Sequence, residues 1–231
     1  MGSADGSGGQ HTVTVARRRL TAGVLLLAAA LAGCGKVPGV YTVEKKSSTH
    51  QGTGGGANGR FDAKSYVDKI WSAKLLPTAT AKAVTASTVL AAVRADPAKA
   101  GKRYGRQAGT GSPYSFLVKG SGRVQSVTSG STGSAELDLD PADGKVDLSV
   151  ALGPVFLGTA VRDAVGFIDF SQFSNQIDYA DVATAINSKV RSDVVSKVTV
   201  KKGARVSFVG AFQPLDLAHV VVTPVQLEVV P

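Results

Sequence analysis

The chain has 231 residues, 43% of them hydrophobic, with 26 basic against 17 acidic side chains and a formal net charge of +9, enough material for one sizeable core or two small ones. Its single cysteine, Cys34, excludes an internal disulfide and a thiolate metal centre. Three histidines, His11, His50 and His219, are too scattered for a multi-histidine metal site, and neither a Gly-x-Ser-x-Gly elbow nor a Walker loop is present, since Gly101-Lys102 and Gly144-Lys145 lack a following Ser or Thr.

In chain order, Arg17, Arg18 and Arg19 precede an uncharged run, residues 20–33, that leads into Leu31-Ala32-Gly33-Cys34. A positive n-region, a short apolar h-region and small residues before a cut stand in the order of a secretory signal. The stretch resembles the lipobox of bacterial lipoprotein signal peptides. Its 14 residues fall short of the ~20 that a spanning helix needs. The resemblance implies that Cys34 receives a diacylglyceryl group, that the preceding bond is cut, and that the mature protein sits lipid-anchored on the extracytoplasmic, periplasmic side of a membrane. Arg17-Arg18-Arg19-Leu20 also loosely resembles a twin-arginine signal, although Thr21 stands where a second large apolar residue is expected, so either export route stays open. Cleavage removes the three arginines and Asp5 and leaves a charge of +7. Outside the membrane the counter-surfaces for that charge are anionic headgroups or acidic envelope polymers, not nucleic acid.

Residues 34–60 hold the lipidated cysteine and a polar, glycine-rich stretch including Gly52-Thr53-Gly54-Gly55-Gly56, which reads as a tether. Nineteen residues of it, 42–60, reach roughly 25 Å as a flexible coil. Residues 37–43 alternatively pair as an edge strand, on their β-branched content. Residues 61–111 read as a helical segment. Asp62 is an N-cap, and Ala63, Tyr66, Val67, Ile70 and Trp71 follow an amphipathic stripe that should end before Pro77. Trp71 lies on that stripe and reads as core. A second helix fits residues 85–95 with Val89, Leu90 and Val93 inward, and Asp96-Pro97 opens a short third.

From residue 112 the texture is that of strands: 114–119, 123–128, 135–139 and 146–152, with Pro141-Ala142-Asp143-Gly144 as a turn and Gly153-Pro154 as a break. Residues 155–173 carry four of the eight phenylalanines and are expected at the centre of the core. A helix follows, capped by Asn175 or Asp178, with Tyr179, Val182, Ala183, Ile186, Val190 and Val194 on one face. Strands at 205–212 and 220–230 close the chain. The order of strands, helix and two further strands is that of an α+β, OB-like (oligonucleotide/oligosaccharide-binding) barrel over residues 112–231, with a helix between its third and fourth strands. An α+β roll has the same element order.

Three constellations are candidates for function. Asp138-Leu139-Asp140-Pro141-Ala142-Asp143-Gly144 resembles a calcium loop but is out of register by one residue, so an exposed acidic hairpin is the favoured reading and no metal is expected. Lys99, Lys102, Arg103 and Arg106 gather around Tyr104, either as a seat for a phosphate or anionic headgroup or as an ordinary solvated helix end. Arg162 and Asp163 interrupt an apolar run, where charges rarely stand unpaired. Arg162 either bridges to Asp163, Asp169 or Asp178 as a structural pair, the favoured reading, or lines a polar ligand pocket with Asp163, Asn175 and Gln176. His219 reads as a loop or strand-edge residue.

The segments Phe61-Asp62-Ala63-Lys64-Ser65-Tyr66-Val67-Asp68-Lys69-Ile70-Trp71, Pro113-Tyr114-Ser115-Phe116-Leu117-Val118-Lys119-Gly120, and Gly158-Thr159-Ala160-Val161-Arg162-Asp163-Ala164 through Asn175-Gln176-Ile177-Asp178-Tyr179-Ala180 resemble a family of predicted periplasmic lipoproteins of unknown function. The resemblance spans nearly all of residues 61–231. It implies no catalytic residues and no cofactor, and a genetic neighbourhood that often includes sugar ABC-transport components. The expectation is a membrane-anchored, non-enzymatic accessory or ligand-binding factor linked to sugar ABC import. The alternative is an envelope scaffold that contacts anionic lipid or polymer through a basic face.

Overall fold

In the computed structural model, residues 60–231 are described. The signal segment at 1–33, Cys34, the tether as far as residue 59 with its alternative edge strand, and His50 lie outside the described residues.

Order starts at Asp62, whose carboxylate accepts hydrogen bonds from the Ser65 backbone N–H (3.1 Å) and hydroxyl (2.6 Å), capping α1 (Ala63–Ile70). The helix does not stop before Pro77. A π turn, Trp71–Leu75, lets the Leu76 N–H reach the Trp71 carbonyl, and the chain runs on as α2 (Leu76–Lys82) with Pro77 as its second residue, accommodated by that shift in hydrogen-bond register. Trp71 and Leu75 of that turn are buried. A two-residue strand, β1 (Val84–Thr85), leads into α3 (Ala86–Ala95), whose Val89, Leu90 and Val93 face inward. Asp96 then caps α4 (Pro97–Tyr104) by accepting from the Lys99 N–H at 3.0 Å.

The barrel is built on β3 (Tyr114–Thr128). The sequence suggests two strands here, yet Gly120-Ser121-Gly122 does not break the run. Gly122 lies against the Asp138 carbonyl oxygen, and Gly120 lies under the Phe208 ring, where a Cβ would meet Cζ at 3.2 Å. These glycines allow close crossing where one long strand serves two partners. β4 (Thr132–Leu139), β5 (Leu148–Pro154), β6 (Arg205–Phe212) and β7 (Val221–Val230) complete the sheet. Gly153-Pro154 closes β5, the end its sequence suggests. Pairing runs β3-β4-β5-β7-β6 and returns from β6 to β3, with β5 and β7 parallel and the other barrel pairs antiparallel. That is a closed five-stranded barrel of α+β class, and α6 (Gln176–Lys189) lies between its third and fourth strands as expected. β1 and the short β2 (Gly105–Gln107), neither apparent in the sequence, attach the helical lead-in to β3.

Helices and barrel share one core: Val67, Trp71, Leu75 and Val89 belong to the same buried cluster as Phe116, Leu137, Phe208 and Phe212. The 155–173 stretch is not its centre. Within it only α5 (Ala160–Val165) and Ile168 are buried, whereas Val155, Leu157 and Phe170 are exposed. Phe173 instead joins Phe61 and Tyr66 in an edge-to-face cluster, with ring centroids 5.4 and 5.6 Å away, that seats α1 against the start of α6. Phe116 and Phe212 stack at 5.2 Å inside the barrel. At the other end of α6, Lys189 bridges Asp68 (2.9 Å) and Asp193 (2.8 Å).

The acidic hairpin is also less exposed than the sequence suggests. Asp138 is buried and accepts from the Asp143 N–H (3.0 Å), the Gly144 N–H (2.9 Å) and the Gln125 amide (3.0 Å). Its carboxylate holds the turn together from inside. Asp140 is engaged by Ser121 and by Arg205 at 2.6 Å.

Two outcomes follow. Gly122→Ala forces a Cβ into main chain that cannot yield and should lower stability by about 1–3 kcal/mol in urea denaturation, whereas Gly109→Ala, whose Cβ would meet nothing nearer than Ser112 Oγ at 3.8 Å, should be neutral. The Asp68 carboxyl is lowered to about 2, chiefly by the Lys189 ammonium and then by Lys64. A carboxyl depressed in the folded state contributes stability above its ordinary value and loses it as pH falls through the folded value. The difference in thermal midpoint between the protein and Lys189→Met should therefore be full near neutrality and shrink between about pH 4 and 2.

Candidate functional site

α5 is a six-residue helix that carries two charges into the core. Arg162 and Asp163 retain 8% and 5% of their side-chain exposure, so the pair stands only if every polar atom is matched. Asp163 Oδ1 accepts from Arg162 Nε and Nη2, both at 2.8 Å, and from the Tyr179 hydroxyl at 3.4 Å. Oδ2 accepts from the Thr159 hydroxyl at 2.5 Å and from the Gln213 amide at 3.3 Å. Arg162 Nη1 donates to the Tyr179 carbonyl at 3.0 Å, and the guanidinium lies 3.6 Å from the Tyr179 ring centroid. Gln213 also donates to Ser115 Oγ at 2.9 Å. One carboxylate thereby joins α5, α6, the start of β3 and the segment leaving β6.

In front of this network opens a cleft of about 370 Å³. It lies where β4 begins, β5 ends and the 213–220 connection runs from β6 to β7. Its apolar wall is Phe156, Leu157 and Leu215, and its polar groups include Gln213, Asp216 and Thr223. Leu157 and Leu215 keep 72% and 79% of their surface in solvent, which marks the rim as unfilled apolar surface. The wall is fixed from behind. Asn187 of α6 donates to the Phe156 carbonyl (3.3 Å) and the Gly158 carbonyl (3.0 Å), and the Val155 N–H donates to the Ser131 carbonyl (2.7 Å). The Phe156 ring rests on Gly153, at φ +70°, where a Cβ would lie 2.6 Å from Cε2. Opposite, Asp216 accepts from the Ala218 N–H (2.8 Å) and pairs with His219 Nδ1 (2.9 Å). The His219 contact, followed by the Ala218 N–H, holds the Asp216 carboxyl below the ordinary carboxylate range.

The sequence candidates fall elsewhere. Arg162 and Asp163 face each other within the network. Asn175 caps α6 by accepting from the Asp178 N–H at 2.9 Å, and Gln176 is exposed at the helix start. None of these four lines the cleft; a buried carboxylate in contact with its own guanidinium has no coordination left to offer a ligand. The basic group is dispersed as well. Lys99 pairs with Asp96 at 3.2 Å, Arg103 lies over the Tyr104 ring at 5.0 Å, Lys102 is exposed in the last turn of α4, and the Arg106 stem crosses Gly166. The residues that do converge, Phe156, Gln213, Asp216 and His219, come from two connections. The Asp216-to-His219 spacing beside Pro214-Leu215 was the one signal in the sequence. Among the described residues no group of three or more His, Cys, Asp or Glu side chains is arranged to hold a metal ion, and no helix is long and apolar enough to cross a membrane.

A family model described as a predicted periplasmic lipoprotein (DUF2291) matches residues 24–228. A solved structure, an OB-fold protein from Thermotoga maritima, is similar at a TM-score of 0.61 and 19% identity, covering 74% of this chain and 100% of its own. At that identity the likeness establishes the barrel fold. No curated protein matches the chain.

The network predicts its own energetics. Asp163→Leu leaves Arg162 buried and unpaired and should cost roughly 3–5 kcal/mol, whereas the Arg162→Met/Asp163→Leu double variant should recover much of the loss. Urea denaturation of the two proteins measures the difference.

Proposed function

The chain belongs to the DUF2291 family of predicted periplasmic lipoproteins, and from that premise we propose that it is a non-enzymatic ligand-binding factor, held at the membrane through Cys34 and serving sugar ABC import. The observation that carries the reading is the position of the cleft. In OB barrels the second and third strands and the connections between strands one and two and strands four and five form the ligand face. Here those elements are β4, β5, residues 129–131 and residues 213–220, and the cleft takes its lining from β4, β5 and 213–220, with residues 155–160 as a further wall.

Its chemistry suits a saccharide. A pyranose offers C–H faces to an aromatic and aliphatic wall and hydroxyl donors to acceptors, and the cleft supplies Phe156, Leu157 and Leu215 for the first and Gln213 and Asp216 for the second. Its volume, about 370 Å³, suits one or two sugar units. The likeness of residues 61–71, 113–120 and 158–180 to a family encoded near sugar ABC-transport components supports the same setting. Ligand transfer to a permease or a solute-binding protein requires only reversible binding, which a rimmed, partly open cleft provides.

Calorimetric titration of the full chain with neutral mono- and disaccharides tests the proposal. Binding should be insensitive to salt and should weaken at least tenfold in Phe156→Ala and in Gly153→Ala, the second because a Cβ displaces the Phe156 ring. Purification from native membranes should bring down a sugar transporter subunit. Pelleting of a Cys34→Ala protein with anionic vesicles that salt abolishes, with no saccharide binding, would favour the envelope scaffold instead.

A further inference from the structure

A primary amide has one acceptor and two donor hydrogens, and in Gln213 both hydrogens are already committed. The side-chain nitrogen donates to Ser115 Oγ at 2.9 Å and to Asp163 Oδ2 at 3.3 Å. The orientation is not arbitrary: turning the amide over would set its carbonyl oxygen against a buried carboxylate. Among the described residues no donor reaches that carbonyl oxygen, and Gln213 lines the cleft. We infer that Gln213 determines the specificity of the cleft, presenting a fixed carbonyl acceptor that demands a hydrogen-bond donor on the ligand, a hydroxyl or N–H, and that turns away a carboxylate or phosphate at that point.

The inference rests on the reading that the cleft is the ligand site, and it goes beyond that reading by naming the atom that selects. Selection originates further back. Asp163 is held by Arg162, Tyr179 and Thr159, so it cannot rotate to release the amide. Arg162 and Asp163 are therefore positioning residues that act on the ligand through Gln213. An anion entering the cleft meets the negative end of the Gln213 carbonyl, with the Asp216 carboxylate on another wall. A neutral polyol meets two acceptors that complement its hydroxyls. An acceptor brought against an acceptor in a partly dehydrated site is strongly disfavoured, whereas a matched donor is favoured.

Two measurements on the full chain separate this inference from the reading beneath it. In nitrogen-15 NMR spectra, the Gln213 side-chain pair, assigned by its loss in Gln213→Met, should show two well-separated hydrogens protected from exchange. Protection should fall in Ser115→Ala, which removes one acceptor without touching the ion pair, and in Asp163→Asn. Exchange of the wild-type pair at the rate of a solvated amide would overturn the inference, whether or not any sugar binds. Titrations with D-glucose and D-galactose should show binding at least tenfold tighter than with D-glucuronate and D-galacturonate. Gln213→Met should lose most of that preference while remaining folded. Equal affinity of the wild-type protein for the neutral and anionic sugars would also overturn it. If none of the four sugars binds, the saccharide reading falls and the protection of the amide decides whether the fixed acceptor stands.

Discussion

The Asp163 carboxylate is the interaction on which the rest of the structure depends. It lies in the core beside the Arg162 guanidinium and accepts from it and from three other side chains, Thr159 at the start of α5, Tyr179 of α6 and Gln213 beyond β6. Taking such a pair out of water costs several kcal/mol per ion, and the attraction between the charges offsets this only when the remaining lone pairs are also matched. Here they are matched, and no buried side-chain nitrogen or oxygen among the described residues is left without a partner. The geometric result is that α5 is locked to α6 through Tyr179 and to the exit of β6 through Gln213, so the connections around the cleft rest on a rigid support.

The barrel contributes differently. Its closure from β6 back to β3 leaves none of the five barrel strands at an edge, and its single long strand brings the helical lead-in, the hairpin and β6 into one packed body. The π turn at Trp71–Leu75 follows the same economy, because it keeps an apolar face on the barrel across a proline that would otherwise end the helix. Rigidity at the back of the cleft and solvent-facing leucines at its rim fit a site formed in advance of its ligand, which lowers the ordering cost of binding.

Much of the fold was legible because local rules and tertiary packing agree. Asp62, Asp96 and Asn175 are caps in sequence and in structure, and the 182, 183, 186 stripe of α6 is buried as its spacing requires, with Val190 just beyond the helix. Legibility failed where packing overrode local preference. Gly120 and Gly122 look like breakers and are instead sites of close approach. Pro77 looks like a stop and is absorbed by a shift in hydrogen-bond register. The phenylalanines of 155–173 look like core because hydrophobicity alone does not say which side of a loop faces inward. The cleft was hidden for a related reason: Phe156 and Gln213 are far apart in sequence, and only barrel closure brings them to one wall. Arg162 and Asp163 attracted attention as charges in an apolar run. They mark the support of the site, not its surface.

Trp71 is the only tryptophan in the chain, and it sits in the π turn at the seam between lead-in helices and barrel. The molecule therefore carries a built-in optical reporter at that seam. Its emission should be that of an indole in apolar surroundings while the helices are docked and should move to longer wavelength when they lift away. Docking and separation of the two halves can thus be followed with no label attached.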